Sequence, residues 1–213
     1  MDVNGDSLWI SYNGNSILYQ NGGLFNKDGT AYTGKGAKTD KNGNVVGYKG
    51  FLGQAFDALN QISAAEGRAG TTVLSELQAS ANNFTIADAA NNPRAAGENE
   101  FVSGNPNREY AIAMLDARQG NPQMGGSGGT VYWNPSTTAV SNSVNELGGR
   151  SRIRPITNLA HELFHGYDSN SGLGDNRPIN GLKRSEWRAS YFENQIRFQI
   201  GYPFRESYNT RAG

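Results

Sequence analysis

The spacing of apolar residues changes character along the chain. Up to about residue 50 they come in short runs: Leu8-Trp9-Ile10-Ser11-Tyr12, Ser16-Ile17-Leu18-Tyr19, Gly23-Leu24-Phe25 and Ala31-Tyr32-Thr33. These runs are punctuated by Asn4-Gly5, Asn13-Gly14, Asn21-Gly22, Asp28-Gly29 and Asn42-Gly43. Asn-Gly and Asp-Gly supply the positive φ of tight hairpin turns, so the segment reads as a small β-meander. Near Tyr48 the spacing becomes helical. Phe51, Leu52, Ala55, Phe56, Leu59 and Ile62 line one face, and Gly67 closes the segment.

A second helix is expected over 72–80, and Phe84-Thr85-Ile86 reads as a strand entering a core. Residues 87–109 hold Asn91-Asn92-Pro93, Gly97, Gly104 and Asn105-Pro106, which predicts a long loop or lid. The glycine-rich turn from Gly125 to Gly129 leads into the strand Thr130-Val131-Tyr132-Trp133, stopped by Asn134-Pro135. Pro155 suits the first position of a helix over 155–167, with Ile156, Leu159, Ala160, Leu163 and Phe164 as its apolar face. Gly166 and residues 169–181 read as a loop. A last helix runs from Ser185, its candidate N-cap, to Ile200, and Gly201 and Pro203 end it.

Composition adds exclusions. The chain has 213 residues, the length of one domain or of one domain with a short appendage. Nineteen basic and nineteen acidic residues cancel, which argues against a general nucleic-acid binder or a polybasic membrane module. No apolar run approaches the ~20 residues of a membrane span. No basic and apolar leader follows Met1, so the chain is expected to be a domain of a longer, delivered protein. With no cysteine, disulfides, thiol nucleophiles and thiolate metal sites are excluded.

The chain has two histidines, and both fall in His161-Glu162-Leu163-Phe164-His165. Positions i and i+4 of a helix lie on one face, so both imidazoles can reach one Zn²⁺. Glu162 projects about 100° away, where it can take a proton from the attacking water. This is the H-E-x-x-H pattern of zinc metallopeptidases. Two randomly placed histidines with that spacing and that glutamate arise with a frequency on the order of 10⁻³ to 10⁻⁴.

A third protein ligand is required, and the absence of further His or Cys makes it a carboxylate. Ser171 and Asp168 stand where one zincin class carries its third His and a Gly, which excludes that class. Asp168 continues the metal helix, where its short side chain points elsewhere. Asp175 lies in the following loop. Glu186 and Glu193, seven apart, share a face of the next helix. Glu186 is favoured, because a glutamate on a second helix about twenty residues on is the glutamate-zincin arrangement. Otherwise these carboxylates pair with Arg188 or Arg197.

The string H-E-L-x-H (161–165), Glu193-Asn194-Gln195-Ile196-Arg197, Gly201-Tyr202-Pro203-Phe204-Arg205 and Tyr208 resembles the NleD-like effector metallopeptidases. These zincin-like toxins are injected bacterial effectors or C-terminal domains of Rhs-type and related polymorphic toxins. The resemblance covers about 155–208. It implies an α+β zincin-like fold, with a β-rich segment over 1–50 and the metallopeptidase domain over 51–213. It also implies a zinc endopeptidase in which His161, His165 and Glu186 hold Zn²⁺. The mechanism expected on this reading is attack of zinc-bound hydroxide on a peptide carbonyl with Glu162 as general base. Glu186-Trp187-Arg188-Ala189 matches the glutamate-zincin pattern Glu-x-x-Ala. Ser190 stands where many such enzymes carry an Asp that holds a His, so that support must come from elsewhere.

The oxyanion donor is expected to be Tyr208, with Arg205 as the other candidate. The strand over 130–133 is expected to lie along the cleft and bind substrate backbone. The expected partner is a protein or peptide in a target cell, reached by secretion or delivery, and the chain is expected to be monomeric. Two other readings are a zinc amidase acting on a non-protein substrate and a non-catalytic surface or adhesion module.

Overall fold

A computed structural model of the chain describes residues 8–65, 68–105, 126–137, 140–144, 150–152 and 154–205. Its centre is a six-stranded mixed sheet. β1 (Leu8–Tyr12), β2 (Asn15–Gln20) and β3 (Gly23–Phe25) form one half. β6 (Phe84–Asp88), β8 (Gly129–Trp133) and β7 (Glu100–Ser103) form the other. The order is β3-β2-β1-β6-β8-β7. Between the halves, β4 (Ala37–Thr39) and β5 (Val45–Tyr48) make a separate hairpin. β9 (Val140–Val144) pairs with β10 (Arg150–Arg152), and β11 (Pro178–Ile179) with β12 (Leu182–Lys183).

The meander expected at the start of the chain is present as β1–β3. Its turns are built as the sequence predicts: Asn13 and Gly14 have φ of 50° and 79°, and Asn21 and Gly22 have 48° and 77°. Positive φ at both central residues matches the twist of the two strands. β1 also pairs in parallel with β6, Ile10 opposite Ile86, so strands from both sides of residue 50 share one sheet. Ala31 contributes an isolated bridge to Phe25 instead of a strand.

The parallel step from β1 to β6 needs a long crossover, which contains α1 (Gly50–Ala64) and α2 (Arg68–Gln78). α1 buries Phe51, Leu52, Ala55, Ala58, Leu59 and Ile62, the face its sequence spacing marks. Gly67, the expected stop, lies outside the described residues. α2 begins four residues before its expected start and buries Val73, Leu74 and Leu77.

α3 (Pro155–Asn170) buries Leu159, Ala160 and Leu163 and continues three residues past its expected end, so Gly166 is helical. α4 (Arg184–Gln199) buries Ala189, Phe192 and Ile196. Lys183 occupies its N-cap, and Ser185 lies inside the first turn instead of capping it.

The interior strands carry the deepest side chains: Leu8 and Ile10 on β1, Phe84 and Ile86 on β6, Val131 and Trp133 on β8. They share one apolar cluster with the buried faces of the four helices among the described residues. Trp133 is 2 % exposed. Its indole N–H donates to the Pro155 carbonyl at 2.7 Å, tying β8 to the first residue of the metal-motif helix. Part of the stretch expected to be a loop or lid is β7, which pairs antiparallel with β8 and forms one edge of the sheet. Glu100-Phe101-Val102-Ser103 is too short, and too closely bounded by Asn and Gly, to announce a strand by itself.

Candidate metal centre

The centre is assembled from α3 and α4. His161 and His165 are one helical turn apart, and their Nε2 atoms stand 3.2 Å apart. Glu186, in the first turn of α4, reaches both: Oε2 is 3.3 Å from His161 Nε2, and Oε1 is 3.5 Å from His165 Nε2. Donors on a tetrahedron of ~2.0–2.1 Å zinc distances are separated by roughly 3.3–3.4 Å. Two imidazole nitrogens and a carboxylate therefore converge at the spacing one small divalent ion requires. Among the described residues, these three make up the His, Asp and Glu group whose ligand atoms come this close together.

The electrostatics favour a cation. His161 is 4 % exposed. Burial disfavours a charge on its imidazole, but Glu186 and Glu193 outweigh burial and raise its pKa to about 10. The surrounding carboxylates thus stabilise positive charge at the position where a metal would stand.

Glu162, the next residue of α3 after His161, lines the same cleft as His165 and Glu186. Its Oε2 accepts from the backbone N–H of Phe101 on β7 at 2.8 Å. That N–H points away from β8, so the outer edge of β7, unpaired among the described residues, faces the motif helix. A polar cleft of about 270 Å³ runs here, lined among others by Asn99, Phe101, Glu162, His165 and Glu186.

The structure sorts the remaining candidates. Asp168 is buried beside Arg188, whose Nη2 is 2.9 Å away. Burial pushes its carboxyl up to about 6 even though Arg188 and His165 pull it down. Asp175 is engaged by the Arg177 guanidinium, with Nε at 2.8 Å, which holds it below the usual carboxylate range. Neither joins the His pair. Glu193 is adjacent to His161 but stands on the Nδ1 side of the ring, at 3.3 Å. Arg205 does not fold over the histidines; its Nη1 lies 3.0 Å from Glu193 Oε2. Tyr208 lies outside the described residues.

One expectation is corrected. The strand over 130–133 does not border the cleft as an open edge, because β8 is paired on both sides, with β6 and β7. The edge position belongs to β7. Periodicity missed it, but the strong strand at 130–133 needed a neighbour, and Phe101-Val102 is an apolar pair within reach.

A family model described as effector protein, Peptidase_M91, matches residues 39–190, more than half of the chain. The chain belongs to this family. The resemblance read from the H-E-L-x-H string is thereby borne out, and the Peptidase_M91 chain is a protease-type effector whose substrate is protein. Comparison with the curated proteins and with solved structures gave no match. The matched segment contains α1, α2, α3 and the first turn of α4 with Glu186. No helix among the described residues is long and apolar enough to cross a membrane.

Proposed function

We propose that this Peptidase_M91 chain is a zinc-dependent endopeptidase of the glutamate-zincin type, delivered as a bacterial effector into a target cell. His161, His165 and Glu186 would hold the zinc, and their 3.2–3.5 Å separations are the observation that carries the reading. When bound, zinc would supply Lewis acidity to water and to the scissile carbonyl.

The rest of the chemistry belongs to the chain. Glu162 is the general base: Phe101 N–H holds Oε2, which aims the carboxylate and leaves Oε1 to take the proton of the attacking water. The same carboxyl then returns the proton to the leaving amine. β7 offers its outer backbone edge to an extended peptide, which would lie antiparallel or parallel to it beside Glu162. The sequence assigns Tyr208 as donor to the developing oxyanion.

The test is zinc content with peptide cleavage. One zinc per chain is expected, with cleavage abolished by a chelator and restored by zinc. A zinc-free protein after repletion, or cleavage indifferent to chelation, contradicts the reading.

A further inference from the structure

Glu193 is the acid beside the histidines that the proposed ligand set leaves unused. Its side chain is 0 % exposed, and a carboxylate cannot be kept there without partners. Three groups meet it. Arg197 Nε donates to Oε1 at 2.7 Å, Arg205 Nη1 donates to Oε2 at 3.0 Å, and His161 Nδ1 stands 3.3 Å from that same Oε2. Arg205 is itself pinned through its backbone. Its N–H donates to Asn194 Oδ1 at 2.8 Å, and its carbonyl accepts from Asn194 Nδ2 at 2.9 Å. Glu193, Asn194, Arg197 and Arg205 thus form one clamp at the back of His161.

We infer that Glu193 is a positioning residue for His161: its Oε2, 3.3 Å from Nδ1, keeps the proton on Nδ1 and so leaves the Nε2 lone pair facing His165 and Glu186. The inference rests on the zinc reading of that site. It accounts for Ser190, which stands where an orienting acid was looked for. Glu193 takes that role from one turn further along α4. Arg197 and Arg205 donate to its two oxygens and so fix the direction in which the carboxylate meets the imidazole. A metal-bound imidazole whose other nitrogen is held in this way keeps its tautomer and ring angle, and loss of such a partner typically weakens metal binding about 10–100-fold.

The experiment measures the zinc dissociation constant by chelator competition, together with the melting temperature of the metal-free protein. It compares the parent with Glu193→Gln and Glu193→Ala. Gln keeps an acceptor for Nδ1–H, so binding should weaken about tenfold, whereas Ala should weaken it by up to about a hundredfold. Should these buried substitutions prevent folding, Asn194→Ala carries the test. It releases Arg205 without altering the buried charges, and is expected to weaken zinc binding by roughly three- to tenfold. A lower melting temperature with an unchanged zinc constant in the folded variants would make the clamp purely structural and overturn the inference. A parent protein that binds no zinc would instead overturn the site reading, and this inference with it.

Discussion

At the residue scale the centre depends on which nitrogen of His161 each carboxylate meets. Glu186 meets Nε2 and Glu193 meets Nδ1, so two glutamates on one helix face have different chemistry. Glu186→Ala should weaken zinc binding by about a hundredfold or more, since it removes one of the three proposed ligands. Asp175→Ala, which removes a carboxylate committed to Arg177, should leave the zinc constant unchanged. Chelator competition on both variants checks this, and equal zinc binding by Glu186→Ala and the parent would remove Glu186 from the site. The His pair and Glu162 were legible in the sequence because their geometry is set by one helical turn and needs no tertiary information. Choosing between Glu186 and Glu193 was not a matter of spacing. Both face the same way, and only the packing of α4 on α3 decides which side of the imidazole each approaches.

Helices α1, α2 and α3 are placed by close backbone approaches that glycine permits at one point and does not need at another. A Cβ on Gly70 in α2 would stand 2.1 Å from the Ile62 carbonyl oxygen of α1. Gly70→Ala must push the two helices apart, at a cost of about 1–3 kcal/mol, or roughly 2–12 °C in melting temperature for a chain of this size. Gly166, next to His165, is different. Its Cβ would meet Phe84 and Phe101 at 3.5–3.6 Å, ordinary contact. Gly166→Ala should therefore stabilise α3 by up to about 1 kcal/mol, the difference in helix propensity. Thermal melts of both variants test the pair, and the same sign of shift in both would contradict it. Gly166 also shows why the helix end was misread. A lone glycine in a helical pattern signals a stop, yet α3 runs through Gly166, where even a Cβ would fit against Phe84 and Phe101.

Across the whole molecule the sheet brings distant segments to the same site. β7 supplies the N–H that holds Glu162, β8 anchors the start of α3 through Trp133, and β1–β3 extend the sheet beyond β6. The helices, the 84–88 and 129–133 strands and the hairpin turns could be read from local spacing. The joining of β1 to β6 and the edge role of β7 could not, because strand pairing over some seventy residues depends on which surfaces the helices leave exposed. The proposed zinc ligands come from both α3 and α4, so on this reading zinc should stabilise the fold. At a free concentration of 100 times the dissociation constant the gain is about 2.7 kcal/mol, roughly 5–11 °C. A melting temperature independent of zinc would disconnect the site from the fold.

The central claim is that Glu162 moves the proton while His161, His165 and Glu186 hold the metal. Glu162→Gln keeps the size of the side chain and an oxygen to accept from Phe101 N–H, but cannot act as a base. The direct measurement is zinc content and peptide cleavage on the parent and this variant, prepared side by side. The account predicts one zinc per chain in both, with cleavage reduced by about 10²–10⁴-fold or more in the variant. Parent-level cleavage by Glu162→Gln would contradict it, and so would loss of zinc from a variant that remains folded.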